Sequence, residues 1–334
     1  MSRPSPRHLF RDVGGGPVCP GGSVVCIGAF DGLHLGHQAL VRHAVARARD
    51  LDVQPAALSF EPLPREFFGA DAPPPRLMLP RAKVEGLRAL GVATVGLLRF
   101  NAAMATMEAA EFVRDVLVRR LAVREVWVGP GFRFGHRRGG DLALLQRMGA
   151  GLGFAAGEIA PYLHEGERVS STAIRQALVE GDFARAARLL GRPYAVAGRV
   201  VHGRQLGRTL GYPTANLRFG GKVPALRGIY ATRVHGIGGD AGQSRPWPSV
   251  SSFGTRPTVD GVEPLLEAHL FDFEGDLYGR RIEVEFVARL RDEEKFPDLD
   301  SLVAQMDLDA AQARAALAAA DDHPQLQPHH RVTA

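Results

Sequence analysis

The chain has 334 residues, 45% of them hydrophobic and 23% charged, so it can bury a large core, and its length favours two domains. Its two cysteines, Cys19 and Cys26, are too few for a disulfide framework, which predicts a protein of the reducing cytoplasm. No apolar run approaches the roughly 18–20 residues of a membrane span, and the N-terminal segment lacks the apolar core of a signal peptide. We therefore expect a cytoplasmic protein without a membrane anchor.

The net charge of +5 suits polyanionic partners, and it does not by itself distinguish nucleic acids from phosphorylated small molecules. The arginines are scattered along predicted helices, and no basic block with interleaved aromatic residues is present in the sequence. A nucleic-acid-binding protein, which would show salt-sensitive binding, is therefore the weaker alternative.

The first half of the chain predicts alternating strands and helices. A helix after residue 34 would bury an apolar stripe that includes Leu40, Val41 and Ala44. Continuous apolar strands between helices indicate a parallel sheet covered on both faces, an α/β fold of the Rossmann-like kind. The other predicted elements are strands at 24–27, 56–60, 92–100 and 124–129, and helices near 81–90, 106–120 and 141–149.

The pattern changes near residue 192. Two helices, 172–181 and 183–191, precede Pro193, and short alternating strands with turn residues follow. Such strands form a small antiparallel barrel or sandwich, an all-β unit, and a last helix is predicted over about 299–320. The predicted strands lie within 194–203, 228–236, 264–273 and 281–290. The predicted segments are an extension (1–19), two domains (20–191 and 192–320) and a disordered tail (321–334).

The stretch FDGLHLGHQAL, residues 30–40, starts the first predicted helix just after a parallel strand. Free N–H groups and the helix dipole make such a terminus an anion site. Gly28 allows a tight turn, Gly36 allows close approach of a ligand, and His34 and His37 add donors for phosphate oxygens. The alternative is a pair of ordinary surface histidines at a helix start.

A second stretch, RVSSTAIRQAL, covers residues 168–178. Ser170 or Ser171 can cap the helix that follows, and capping alone would explain the serines. It would not explain Arg168 and Arg175, which flank three consecutive hydroxyl side chains in a composition suited to a polyphosphate.

Together the two stretches resemble the HxGH and SSTxxR motifs of the nucleotidyltransferase superfamily. They are most similar to the N-terminal half of the bacterial bifunctional riboflavin kinase/FAD synthetase family. SFEPLPREFF (59–68), VGPGFRFGHRRGGD (128–141) and the helix pair ending LLGRPY agree, and the resemblance runs from about residue 20 to 310.

The resemblance implies that the phosphate of FMN attacks the α-phosphate of ATP directly and that pyrophosphate leaves, without a protein nucleophile. His34 and His37 would donate to the phosphates, and Mg²⁺ would bridge phosphate oxygens. The family's pyrophosphate-holding positions correspond to Arg168, Ser171, Thr172 and Arg175, and its nucleotide-pocket positions to Gly28, Phe30, Asp31 and Gly36.

Two positions depart from the family pattern in this half. Leu63 stands where many members carry His, and Gly131 stands where they carry Asp or Asn. One missing polar group would cost roughly 1–3 kcal/mol of transition-state binding, which slows adenylyl transfer without abolishing it. An alternative within the family is therefore a riboflavin kinase whose N-terminal half binds nucleotide but adenylylates poorly.

The second half opens on a glycine-rich loop, RVVHGRQLGRTLGYPTANL (199–217). Within it, Thr214 and Asn216 lie two residues apart in extended chain, so they project to one side and can share a cation. An ordinary turn with local side-chain hydrogen bonds is the alternative. On the strand PLLEAHLFDF, Glu267 lies on the face opposite Leu266, Ala268 and Leu270 and is a candidate general base, although pattern alone favours a solvated glutamate.

GYPTANL, GIYA, GTRPTV, LEAHLFDFEGDLYG and RDEEKF occur in the order found in riboflavin kinase, and this resemblance implies a kinase on a small antiparallel β-barrel. Thr214 and Asn216 would hold the Mg²⁺ of MgATP, and Glu267 would accept the proton of the ribityl 5′-hydroxyl. Ser252 stands where the family usually has Asn. The remaining implied contacts are Gly207 and Arg208 with ATP, and Arg291, Glu293 and Phe296 with the flavin.

The expected partners are therefore small molecules: ATP, riboflavin and FMN, with FAD as the final product. We expect no nucleic acid or membrane partner, and a monomer or weak homo-oligomer.

Overall fold

The computed structural model describes residues 8–69, 73–203, 206–237, 245–258 and 261–322. It divides into two compact units: the first runs to Pro74 and from Pro80 to Ser170, and the second contains Pro75–Leu79 and the chain from Ser171 onward. The predicted domain boundary at residue 191 stays a prediction. Most of the predicted disordered tail, residues 323–334, lies outside the described residues, as does the start of the N-terminal extension, residues 1–7.

The first unit is built on a six-stranded parallel sheet, as the apolar strands predict. Every residue of its central strand β2 is buried, which explains the unbroken apolar run. The strands are β1 (His8–Phe10), β2 (Ser23–Ile27), β3 (Gln54–Glu61), β4 (Thr94–Arg99), β5 (Val123–Val128) and β6 (Ala155–Glu158), in the spatial order β1-β4-β3-β2-β5-β6. A two-stranded hairpin follows, β7 (Leu163–His164) and β8 (Glu167–Arg168).

Helices pack against this sheet, and α1 buries the predicted stripe of Leu40, Val41 and Ala44. The predicted helix at 106–120 begins at Ala109 and ends in π-helical turns. The helices are α1 (Leu35–Asp50), α2 (Pro64–Phe68), α3 (Pro80–Ala89), α4 (Ala102–Thr106), α5 (Ala109–Phe112) with its π-helical continuation Val113–Arg120, a 3₁₀ turn (His136–Arg138) and α6 (Leu142–Leu152).

The second unit is a closed six-stranded antiparallel barrel. The closure confirms the barrel and rules out the sandwich. Its strands are β9 (Ala195–Val201), β10 (Ala215–Arg218), β11 (Gly228–His235), β12 (Trp247–Thr258), β13 (Gly261–Leu270) and β14 (Arg281–Arg291), in the order β10-β13-β12-β11-β14-β9. Its helices are α7 (Ser171–Val179), α8 (Phe183–Leu190), α9 (Leu206–Thr209) and α10 (Leu299–Asp322).

The long C-terminal helix α10 covers one side of the barrel. Its Ala313 and Leu317 form a buried cluster with Ala231 and Phe271 of the barrel. Removing these apolar surfaces from water stabilises the packing of helix on sheet by roughly 25 cal/mol for each Å² buried. The helix therefore gives the barrel a fixed wall beside the ends of β13 and β14.

Within the part of the chain that the structure describes, no helix has the length and hydropathy of a membrane span.

Gly96 on β4 leaves room for the side chains of Leu58 and Phe10 in the core of the first unit. A Cβ at this position would lie 2.3 Å from Leu58 Cδ2 and 2.7 Å from Phe10 Cζ. We expect Gly96→Ala to lower the free energy of unfolding by about 1–3 kcal/mol, because the added methyl group overpacks the core. Urea unfolding monitored by tryptophan fluorescence measures this change.

The matched control is Gly151→Ala in α6, where nothing lies within 4 Å of the added Cβ. It should leave stability unchanged or raise it by about 0.5–1 kcal/mol through the better helix propensity of alanine. Equal stability of Gly96→Ala and the wild-type protein would contradict the packing described for β4.

Candidate active sites

The loop between β2 and α1 has a strained backbone. Phe30 and Leu33 are not glycine, yet their φ angles are +49° and +46°. Both side chains are buried, at 0% and 5% exposure, and their packing holds the backbone in this conformation. Left-handed conformations of bulky residues cost about 1–2 kcal/mol each and cluster at binding sites. The strained loop therefore marks a candidate binding site at the start of α1.

His34 caps α1, and the two motif histidines lie against each other. The Nδ1 atom of His34 accepts a hydrogen bond from the backbone N–H of His37 at 3.2 Å. The two rings are stacked with their centroids 3.6 Å apart. A Cβ on Gly36 would lie 3.3 Å from the His34 ring, so glycine keeps this side of the ring clear. The arrangement places two imidazoles at the positive end of a helix.

His37 is held in its neutral form. Its pKa lies well below the ordinary value of 6.5 because the ring is desolvated and because charge on His34 and Lys83 opposes its protonation. The edge of Phe30 contacts the ring, with centroids 5.3 Å apart, and its Nδ1 atom is buried without a hydrogen-bond partner among the described residues. A neutral imidazole still has one N–H group to donate.

Lys83 and Ser59 were not found from the sequence. Lys83 on α3 is fully buried and donates to Ser59 Oγ at 3.1 Å, while Ser59 donates to the carbonyl of Ala29 in the β2–α1 loop at 3.0 Å. A buried ammonium is costly unless it is bonded or serves nearby negative charge. The available signal was a lysine on the apolar face of a helix, one turn before the buried Leu87.

Two predicted pocket residues shape this loop. A Cβ on Gly28 would lie 3.1 Å from the Phe30 ring, so the glycine lets that ring pack over the end of β2. Asp31 is buried, with 2% of its surface exposed. Together with Phe30 they form the start of the predicted nucleotide loop.

The residues of the second motif fall in different compact units. Arg168 is exposed on β8 in the first unit, whereas Ser171, Thr172 and Arg175 lie on α7 in the second. The Nε atom of Arg175 donates to the carbonyl of Pro75 at 2.6 Å, which joins α7 to the Pro75–Leu79 segment. The predicted joint role of these residues in holding pyrophosphate stays a prediction.

The two departures of this half have different local settings. Leu63 is buried at the start of α2, where its N–H donates to Glu66 at 2.8 Å. Gly131 is exposed with a φ of +70°, and its N–H donates to Glu158 at 3.2 Å. Asn and Asp adopt this left-handed conformation more readily than other side chains. The backbone at Gly131 is therefore one that an Asn or Asp could also take.

In the barrel, strand pairing brings the predicted kinase residues together. Asn216 on β10 is the direct partner of Glu267 on β13, and Glu267 is in turn the partner of Ser252 on β12. The hydroxyl of Thr214 donates to Glu267 Oε1 at 3.5 Å. Directly opposed residues on neighbouring strands have their Cβ atoms within about 5.5 Å. A hydroxyl, an amide and a carboxylate thus meet on one face of the barrel.

Asn216 carries the atom that best fits a metal ion. Its side chain is 4% exposed, and its Nδ2 donates to the Thr214 carbonyl at 3.4 Å. Its Oδ1 atom is buried and has no hydrogen-bond partner among the described residues. Leaving such an acceptor unpaired costs about 1–3 kcal/mol, and a hard cation would satisfy it. The side chains present fit Mg²⁺.

The glycine-rich loop packs tightly against this cluster. A Cβ on Gly203 would come 2.5 Å from Asn216 Nδ2, and a Cβ on Gly207 would come 2.2 Å from the Tyr212 carbonyl oxygen. Glycine is required at both positions because backbone lies against backbone or against a buried amide. Arg208 follows on α9 and is exposed.

Of the predicted flavin residues, Arg291 and Phe296 contact each other and Glu293 has a separate partner, and the sequence did not predict the partners of Arg291 and Glu293. Arg291 makes a two-pronged ion pair with the buried Asp309 of α10, with both N–O distances at 2.7 Å, and its guanidinium lies 5.7 Å from the Phe296 ring centroid. Glu293 pairs with Arg227 at 2.8 Å. Arg291 thus joins β14 to α10, and its predicted flavin contact is untested. The sequence signal for Asp309 was its position four residues before Ala313, on the apolar stripe of the last helix.

The lowered pKa of His37 predicts a pH dependence of stability. As pH falls through about 6.5, the unfolded chain takes up a proton that the folded His37 does not, so unfolding is favoured. We expect stability to be lost below pH 6.5 by at most about 1.4 kcal/mol per pH unit from this group, and His37→Gln to lack that loss.

Urea unfolding between pH 7.5 and 5 measures this difference, with His164→Gln in the β7 hairpin as the control that keeps the wild-type dependence. The same pH dependence in His37→Gln and the wild-type protein would contradict the account of His37.

Comparisons with known proteins match a family model to each half of the chain. The FAD synthetase family model matches residues 17–173, and the riboflavin kinase model matches residues 190–317. The bifunctional riboflavin kinase/FMN adenylyltransferase of Escherichia coli (strain K12) is 43% identical over 88% of this chain and 92% of its own length. The Pseudomonas fluorescens relative of the same description is 45% identical over 90% of this chain and 95% of its own.

A crystal structure described as a macrolide-efflux protein from Streptococcus pneumoniae is also similar, with a TM-score of 0.69 at 30% identity. The match covers 92% of this chain and 98% of that chain, so one solved structure spans both units. With the two family models and the curated relatives, the conclusion is plain: this chain belongs to the bifunctional riboflavin kinase/FMN adenylyltransferase family.

Proposed function

We propose that Thr214, Asn216 and Glu267 carry out the phosphorylation of riboflavin to FMN, and that His34 and His37 carry out the adenylylation of FMN to FAD. Each step consumes one ATP, and the second releases pyrophosphate. The observation that carries the proposal is the cluster at β10 and β13, where the Asn216 amide oxygen, buried and unpaired among the described residues, lies beside the Glu267 carboxylate and the Thr214 hydroxyl.

In the barrel, the Thr214 hydroxyl and Asn216 Oδ1 would hold Mg²⁺, because both are oxygen ligands of the kind that this ion prefers. When bound with ATP, the ion supplies neutralisation of the charge on the phosphate oxygens. Glu267 accepts the proton of the riboflavin 5′-hydroxyl as that oxygen attacks the γ-phosphate, the bond from the γ-phosphorus to the bridging oxygen breaks, and ADP leaves. Its contact with Thr214 supports this role, since it places the base beside the residue that would hold the nucleotide's metal.

In the parallel-sheet unit, the reaction needs positioning and charge stabilisation and no protein nucleophile. The N–H groups at the start of α1 and the imidazoles of His34 and His37 donate to the phosphates of ATP. Lys83 is linked to this loop by hydrogen bonds through Ser59, and it adds positive charge where negative charge develops. We include Arg168, Ser171, Thr172 and Arg175 as the residues that hold the departing pyrophosphate.

Arg291, Glu293 and Phe296 would close over the flavin, and Gly207 and Arg208 would contact ATP in the barrel. Small molecules are then the partners of this chain, which we propose works in the cytoplasm as a monomer or weak homo-oligomer without nucleic acid. The kinase-only alternative predicts that FMN, ATP and Mg²⁺ yield no FAD and no pyrophosphate.

Glu267→Gln tests the kinase half. Loss of the general base should lower the rate of FMN formation from riboflavin by about 10²–10⁴-fold, because glutamine cannot accept the proton. Riboflavin binding and FAD formation from added FMN should be retained. Chromatography of the flavins in the two assays measures both activities in one preparation.

The matched control is Glu263→Gln on the same strand, where Glu263 lies 3.8 Å from Arg218 and away from the cluster. It should keep wild-type kinase activity. A kinase rate in Glu267→Gln close to that of Glu263→Gln would remove Glu267 from the mechanism.

His34→Asn tests the adenylyltransferase half. Asparagine keeps a side-chain acceptor for the cap of α1 and removes the imidazole. FAD and pyrophosphate formation should fall by about 10²–10³-fold, the usual effect of losing one donor to a developing charge. Riboflavin phosphorylation by the same protein is the internal control, and an unaffected FAD rate would contradict the role of His34.

A further inference from the structure

The residues Pro213 and Thr214 precede the ordered strand that carries Asn216. Strand β10 begins at Ala215, whose partner is Ala268 of β13. The pairing fixes Asn216 opposite Glu267, but it does not include Thr214. The Thr214 hydroxyl donates to Glu267 and its carbonyl accepts from Asn216, and the course of the backbone that carries Thr214 depends in addition on what holds the turn before the strand.

His269 holds that turn from β13. Its Nδ1 atom lies 2.9 Å from the carbonyl oxygen of Pro213. A carbonyl oxygen only accepts, so the imidazole donates from Nδ1, which assigns the position of its proton. The ring contacts both Tyr212 and Phe271, with centroid distances of 4.9 and 5.9 Å. These contacts fix the direction of the donor.

Tyr212 holds the other side of the same turn. Its hydroxyl donates to Asp307 of α10, and its backbone N–H donates to the Gly207 carbonyl at 2.7 Å. Tyr212 and Pro213 are thus bonded to α10, to the glycine-rich loop and to β13. Among the contacts that the structure gives for Tyr212 and Pro213, the hydrogen bond from His269 is the one that comes from β13, the strand that carries Glu267.

We propose that His269 is a positioning residue of the riboflavin kinase reaction: by donating from Nδ1 to the Pro213 carbonyl, it directs the Thr214 hydroxyl towards Mg²⁺. His269 and Glu267 are two residues apart on β13, so they project to the same face. One strand thereby supplies the base and orients the turn that holds the metal. This inference rests on the proposed metal-binding role of Thr214 and Asn216.

The test is a Mg²⁺ titration for His269→Ala, His269→Asn and His269→Gln, followed both by kinase activity at fixed ATP and riboflavin and by calorimetric binding of a non-hydrolysable ATP analogue. The amide nitrogen of asparagine lies near the position of Nδ1, whereas that of glutamine lies near Nε2. We expect the alanine and glutamine variants to need about tenfold more Mg²⁺, the equivalent of one hydrogen bond of about 1.4 kcal/mol. Asparagine should restore the requirement to within about threefold of the wild-type value.

The KM for riboflavin should stay within about twofold in all three variants, which reports that the barrel of each is folded, and FAD formation from added FMN reports the same for the parallel-sheet unit. The control is His235→Ala, since His235 lies on β11, a strand that β12 separates from β13, and pairs with Glu285 on β14. It should keep the wild-type Mg²⁺ requirement.

Two results would overturn the inference. An unchanged Mg²⁺ requirement in His269→Ala would show that the turn needs no bond from His269. Restoration by glutamine rather than asparagine would assign the function to Nε2, as in a direct phosphate contact. Asn216→Ala is measured alongside: if it leaves the Mg²⁺ requirement unchanged, the proposed metal site itself fails, whereas a change in Asn216→Ala alone refutes only the role of His269.

Discussion

The pairing register of β10, β13 and β12 is the constraint on which the kinase site depends. It places Asn216, Glu267 and Ser252 side by side on three neighbouring strands. A shift of one residue in either pairing would turn the polar side chains to the opposite face of the strand. The buried Leu266 and Ala268 on either side of Glu267 prevent such a shift, since it would expose them. The apolar core of the barrel therefore fixes the geometry of the polar cluster.

In the adenylyltransferase half, one loop and one helix fix the positions of the proposed site residues. The proposed functional groups of this half come from a short stretch that starts at Gly28 and ends at His37, and buried aromatic packing against Phe30 holds the stretch in a strained conformation. The same packing desolvates His37 and keeps it neutral. Burial here determines the protonation state of a side chain as well as its position.

Local patterns in the sequence were enough to predict much of the fold and to propose the key site residues, which stay predictions. Buried apolar strands and helix stripes predicted the parallel sheet, and alternation predicted an antiparallel unit with Glu267 and the apolar residues on opposite faces. Strands β10 and β12 were not predicted, because the first lies within a turn-like Pro-Thr-x-Asn stretch and the second contains prolines, glycine and several serines. Their strand conformation comes from pairing in the closed barrel, and a short stretch of sequence does not show that pairing.

The partners of the site residues were harder to predict for a related reason. Lys83, Asp309 and the Nδ1 donor of His269 each meet a residue that is distant in sequence, and their side-chain types are common on protein surfaces. Only the three-dimensional structure brings them to Ser59, Arg291 and Pro213. Leu63 and Gly131 could be identified as departures from the family pattern, yet only the three-dimensional structure shows the backbone hydrogen bond of Leu63 and the positive φ of Gly131.

A time course of flavin species is the most direct test of the account as a whole. The wild-type protein is incubated with riboflavin, excess ATP and Mg²⁺, and the flavins are separated by chromatography while pyrophosphate is measured. The account predicts that FMN forms first, that FAD follows with one pyrophosphate released for each FAD, and that chelation of Mg²⁺ stops the first step. Riboflavin that stays unchanged, or FMN that forms equally well without Mg²⁺, would contradict it.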